Sequence, residues 1–127
     1  MIYCLISFVA GWIVFAVNPM AEKGLDDSLL VSLEDIDSLD TYLWIDARLD
    51  EVYAEGHYEG AILLNEESWE EGFMSLLDQW LPDQAIMVYC SSEACLRSHH
   101  VASRLREELG FEEVFVLEGG WDVLQNR

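Results

Sequence analysis

The sequence predicts an α/β domain, with a mainly parallel central sheet flanked by helices and one transmembrane helix in front of it. Three observations point there. Short apolar runs at 43–45, 61–64, 85–89 and 114–117 alternate with segments of helical period, the pattern of strands joined by helical crossovers. The length of 127 residues suits one such domain and is too short for two of ordinary size. Residues 1–17 carry no charged side chain and are closed by Asn18-Pro19, where helix continuation is disfavoured.

The apolar segment comes first. At about 1.5 Å per residue it reaches roughly 25 Å, the short limit of a membrane span, and flanking residues or local bilayer thinning supply the remainder. A cleaved signal peptide fits poorly, because there is no basic start and no small-x-small pair before a cut near residues 18–21. A buried core helix would have to be apolar on every face. The expected organisation is therefore an anchor over 1–20, a linker over 21–29 and a domain over 30–127. Cys4 is read as a lipid-facing or packing residue. Lys23 is the basic residue nearest the segment and leans toward a cytoplasmic domain by the positive-inside rule.

Ser32 followed by Asp35 predicts an N-capped short helix over 32–39. Leu43-Trp44-Ile45 reads as a buried strand ending at Asp46. A helical turn over 50–54 is stopped by Gly56, and residues 61–64 form the next strand. Trp69, Phe73, Leu76, Leu77 and Trp80 recur at helical spacing, so an amphipathic helix is expected over 67–80, ahead of Pro82. Ala85–Tyr89 is continuous and apolar, as a central strand should be. A helix over 97–109 puts Val101, Leu105 and Leu109 on one face and ends at Gly110. A strand over 114–117 precedes Gly119-Gly120, which turns into a last short helix.

The formal net charge of −19 opposes nucleic acid and anionic membrane surfaces as partners. With 52% hydrophobic residues, this is not a disordered acidic chain. The three cysteines, Cys4, Cys90 and Cys95, do not make a disulfide framework. Composition leaves Cys90 and Cys95 open as a reduced pair, a local redox pair or metal ligands. For a zinc site, neighbouring His99 and His100 point about 100° apart, so only one joins both thiols easily. No metal is expected, and the two histidines read as a solvated pair. Cys90 falls where the central strand ends and a loop feeds a helix start, which favours a thiolate and any anion bound to it.

Four landmarks follow in order: Asp46-Ala47-Arg48, Gly56-His57-Tyr58-Glu59-Gly60-Ala61, Val88-Tyr89-Cys90 with Arg97-Ser98, and Gly119-Gly120-Trp121. Their order resembles the rhodanese family of sulfurtransferase-like domains. The resemblance implies a Cys90 nucleophile that takes sulfur from a small donor, holds it as a persulfide and passes it to a thiol acceptor, with no prosthetic group. Backbone amides of Ser91, Ser92, Glu93, Ala94, Cys95 and Leu96 would cradle the sulfur. Arg97 would supply positive charge, and Ser98 would cap the helix or donate a hydrogen bond. The same resemblance makes Asp46 and Arg48 structural, gives His57 a turn before the third strand, and puts Gly119-Gly120-Trp121 near the active loop.

The match to the family pattern is imperfect. Six residues separate Cys90 from Arg97 where five are usual, no glycine lies between them, and Glu93 opposes an anion. Two alternatives therefore stand beside sulfur transfer. One is a dithiol redox or persulfide-reducing role for Cys90 and Cys95. The other is a non-catalytic, membrane-tethered interaction module whose protein partner the sequence does not name.

Overall fold

The computed structural model describes residues 27–92 and 95–127. The expected anchor over 1–20 and nearly all of the linker lie outside the described residues. Among the described residues, no helix is long and apolar enough to cross a membrane.

Among the described residues, five parallel strands form one sheet: β1 (Leu30–Val31), β2 (Tyr42–Asp46), β3 (Ile62–Leu63), β4 (Ala85–Tyr89) and β5 (Val114–Leu117), in the spatial order β1-β5-β4-β2-β3. The helices are α1 (Asp50–Glu55), α2 (Trp69–Gln79), α3 (Arg97–Glu107) and α4 (Gly120–Gln125). Strand β4 lies at the centre and is continuous and apolar, with Ile86 to Tyr89 fully buried. Ile86 and Val88 join Ile45, Leu76, Val101 and Leu105 in the core beneath α2 and α3. Met87 and Tyr89 point the other way, toward Trp44, Leu117 and Leu124.

Several expected bounds shift. The helix expected over 32–39 is a single 3-10 turn, Leu33–Asp35, with the Ser32 hydroxyl accepting from the Glu34 N–H at 3.4 Å. A second such turn, Leu39–Thr41, leads directly into β2. Leu29 is buried, and Leu30–Val31 pairs with the edge of β5. Leu77 and Leu109, expected on core faces, are 47% and 40% exposed. Helix α3 ends at Glu107, so Leu109 falls beyond its apolar stripe.

Candidate active site

Strand β4 delivers Cys90 at its carboxyl end, the side of a parallel sheet where ligands bind. The residue is 2% exposed. Two hydrogen bonds hold the chain from behind: the Trp121 N–H donates to the Cys90 carbonyl at 2.7 Å, and the Asp122 N–H to the Ser91 carbonyl at 3.3 Å. This approach explains the paired glycines. Gly119 caps α4 with a φ of 84°, and Gly120 follows at 56°, where only glycine sits without cost. A Cβ on Gly120 would collide with the Cys90 carbonyl.

Cys90 is joined to Cys95 by a disulfide, with a Cα–Cα distance of 6.1 Å. The Cys95 N–H donates to the Ser92 carbonyl at 3.2 Å. Ser91 is exposed, Ser92 and Cys95 are partly exposed, and Leu96 is 41% exposed. Glu93 and Ala94 lie outside the described residues. Among the described residues, the one non-glycine with positive φ is Asp83, so the described part of the loop turns without left-handed backbone.

Leu96 precedes α3 without a side-chain cap, so the expected capping role of Ser98 is not seen. Ser98 instead lies in the first turn of α3, 3% exposed. The two histidines separate: His100 is exposed, whereas His99 is buried at 7% exposure. A cleft of about 200 Å³ runs past Ser92, Cys95, His99 and Gly119. Among the described residues, no group of three His, Cys, Asp or Glu side chains is placed to hold a metal ion.

Arg97 begins α3, and its guanidinium grips Glu67 through two hydrogen bonds of 2.9 Å. Hydrogen bonds from Arg97 hold the Glu67 carboxyl down at about 2, with help from a backbone N–H. The positive charge expected to face the active loop is thus shared with a carboxylate. Neighbouring Glu66 pairs with Arg104 at 2.8 Å, and Arg104 also lies 4.0 Å over the Trp69 ring. Glu66 and Glu67 therefore tie α3 to the segment before α2.

Behind the loop lies a buried polar knot. Asp46 and Arg48 are 0% and 3% exposed. Arg48 Nε donates to both Asp46 oxygens at 2.9 and 3.1 Å, and Nη2 donates to Asp46 Oδ2 at 2.6 Å and to the Gly56 carbonyl at 2.7 Å. Parallel register sets Asp46 beside Tyr89, whose hydroxyl donates to Asp46 at 2.7 Å and accepts from the Tyr58 N–H at 3.0 Å. Burial raises the Tyr89 pKa, and its hydrogen bond to Asp46 raises it further. Burial alone would lower the Arg48 pKa, but the bonds and charge of Asp46 carry it above its ordinary value. The Arg48 guanidinium lies 4.9 Å from the Trp121 ring, which stacks on Tyr89. The knot thereby reaches the residue whose N–H pins Cys90. His57 stacks on Tyr53 with ring centroids 3.7 Å apart, a packing role in the turn before β3.

Comparison with known proteins agrees with this architecture. The rhodanese-like domain family matches residues 28–127, and the chain belongs to that family. A tRNA uridine(34) hydroxylase of Bacillus pumilus is 32% identical over 111 residues, covering 82% of this chain. The chain spans about a third of that relative's length, 32%. A crystal structure of a Bacillus halodurans protein superposes with a TM-score of 0.57 at 25% identity, over 69% of this chain and 61% of that one. A Helicobacter pylori protein gives 0.57 at 22% identity over 79% and 84%, and a rhodanese-related protein of Thermoplasma volcanium gives 0.51 at 17% over 76% and 90%.

Proposed function

We propose that this protein is a sulfurtransferase working through a persulfide on Cys90. The Cys90 thiolate attacks the outer sulfur of a small donor such as thiosulfate, forming an S–S bond and releasing sulfite. A thiol or similar nucleophile then takes the sulfane sulfur and returns the thiolate. The observation that carries this reading is the placement of Cys90, in a rhodanese-family chain, at the end of the central strand. Its backbone is pinned by the Trp121 N–H and its loop runs into α3. Loop amides at the start of α3 stabilise the anion. Arg97 adds a positive field that Glu67 tempers. Residues 1–20 would tether the domain, with a cytoplasmic placement favoured by Lys23. A net charge of −19 repels a polyanion, so RNA is not the proposed substrate despite the relative's name.

The test exposes reduced protein to thiosulfate and, separately, to a thiosulfonate, reading sulfite or sulfinate release from the full chain and the intact mass of its Cys95→Ser variant. Release by the full chain, absent in Cys90→Ser, with one added sulfur on Cys90 of Cys95→Ser that an added thiol removes, is the expected result. Folded, reduced protein that takes sulfur from neither donor rejects the reading.

The Cys90–Cys95 disulfide favours a second reading, in which the pair cycles between dithiol and disulfide. It requires two thiols to disappear together on mild oxidation. Loss of one thiol alone removes it from consideration.

A further inference from the structure

We infer that Cys95 discharges the Cys90 persulfide as sulfide, and that the resulting disulfide is reopened by an external dithiol attacking Cys95 from the cleft beside His99. The inference rests on the persulfide reading of Cys90 and adds the fate of the sulfur. The two cysteines are separated by 5 positions in the chain, and their 6.1 Å Cα–Cα distance falls within the roughly 4.4–6.8 Å that a disulfide spans. Cys95 therefore reaches the Cys90 sulfur without refolding of the domain.

In the discharge, the Cys95 sulfur attacks Cys90 Sγ, a Cys90–Cys95 bond forms and the persulfide S–S bond breaks. The outer sulfur leaves as hydrosulfide with the Cys95 proton, and two electrons pass from the thiol pair to the sulfane sulfur. Reopening runs by ordinary exchange. A dithiol's thiolate attacks Cys95 Sγ and expels the Cys90 thiolate. Its second thiol then breaks the mixed disulfide, leaving the Cys95 thiol and an oxidised reductant.

Burial fixes which sulfur the reductant meets. Cys90 is 2% exposed, whereas Cys95 is partly exposed and lines the cleft with Ser92, His99 and Gly119. At about 200 Å³, that cleft is smaller than the roughly 300–1,000 Å³ of small-molecule pockets. It suits one thiol-bearing arm reaching in from a larger molecule.

The experiment loads the reduced full chain and Cys95→Ser with thiosulfate or a thiosulfonate, then removes the donor. Sulfite (or sulfinate) release reports loading, and sulfide is measured before any thiol is added. The native chain is expected to release both and to end two hydrogens lighter than its reduced form. Cys95→Ser should load equally, release no sulfide and keep the added sulfur. If both proteins load and both keep their sulfur, the inference falls while sulfur transfer stands. If neither loads, both fall. Oxidised protein treated with a small monothiol should carry the adduct on Cys95 by peptide mass, and an adduct on Cys90 overturns the proposed route of reduction.

Discussion

Two carboxylate–guanidinium pairs flank the Cys90 loop, with similar hydrogen-bond geometry and opposite surroundings. Asp46 and Arg48 are sealed behind β4, whereas the Arg97 and Glu67 side chains are 37% and 51% exposed. In the buried pair every contact is supported: Arg48 also bonds the Gly56 carbonyl, Tyr89 donates to Asp46, and Trp121 lies against the guanidinium. In the exposed pair each side chain grips the other, a backbone N–H assists at Glu67, and water screens what they gain. Similar bonds thus serve different ends. The first sets the shape of the chain behind Cys90, and the second adjusts the charge at the start of α3.

The largest effect should come from Arg48→Ala. It strands a carboxylate that is 0% exposed, and breaking a buried pair in this way costs about 3–5 kcal/mol. Against a typical total of about 5–15 kcal/mol, much of the stability goes. The check is a urea melt of Arg48→Ala beside Arg97→Ala. Equal midpoints for the two variants would erase the distinction between the pairs.

Tyr89→Phe probes the same knot more gently. It removes the donor to Asp46 and the acceptor for the Tyr58 N–H, at about 1–3 kcal/mol for the groups left unsatisfied. It should also change the response to alkali. The Tyr89 pKa is raised by burial first and then by Asp46. The protonated form is thus favoured in the fold, and the associated stability is intact below the unfolded value near ~10. As pH climbs past that value the unfolded chain sheds a proton that the native one keeps, and stability falls. Melts at neutral and strongly alkaline pH should converge more in Tyr89→Phe than in the native chain; an unchanged alkaline loss would assign it to other tyrosines.

The legibility of these features in the sequence follows their physics. Strands β4 and β5 could be bounded to the residue, because continuous apolar runs between helices have few other homes. The two-residue β1 had no such signal, since its place depends on an open edge of β5. Asp46 and Arg48 stand out through the family resemblance, and a buried aspartate demands a partner. Tyr89 did not, as it looks like one more apolar member of β4 until the register sets it next to Asp46. Glu67 sits in an acid run where pairing with Arg97 leaves no local trace. His99 reads as solvated in sequence because its burial depends on tertiary packing around the start of α3. The Cys90–Cys95 bond lay among the alternatives that spacing left open.

The loop side of the comparison predicts a small stability effect with a measurable chemical one. Arg97→Ala should leave the urea midpoint nearly unchanged and slow sulfur uptake by less than about tenfold, the equivalent of about 1.4 kcal/mol in a barrier. Cys90→Ser should abolish uptake altogether. A loss as complete in Arg97→Ala as in Cys90→Ser would give the guanidinium a direct role that its bond to Glu67 argues against.

The smallest effect is the pH response of Glu67 itself. Its carboxyl is held at about 2 by the hydrogen bonds from Arg97, below the roughly 4.3 of a free glutamate. Because the folded value is depressed, the associated stability is present above the unfolded value and disappears as pH falls from about 4.3 through about 2. Carbon-13 titration of the glutamate carboxyls should find Glu67 ionised well below its neighbours, and Arg97→Ala should return it to the ordinary range. If Glu67 titrates normally in the native chain, the pair is not held in solution. The Arg97 charge would then be free to face the Cys90 loop, and uptake should depend on it more steeply.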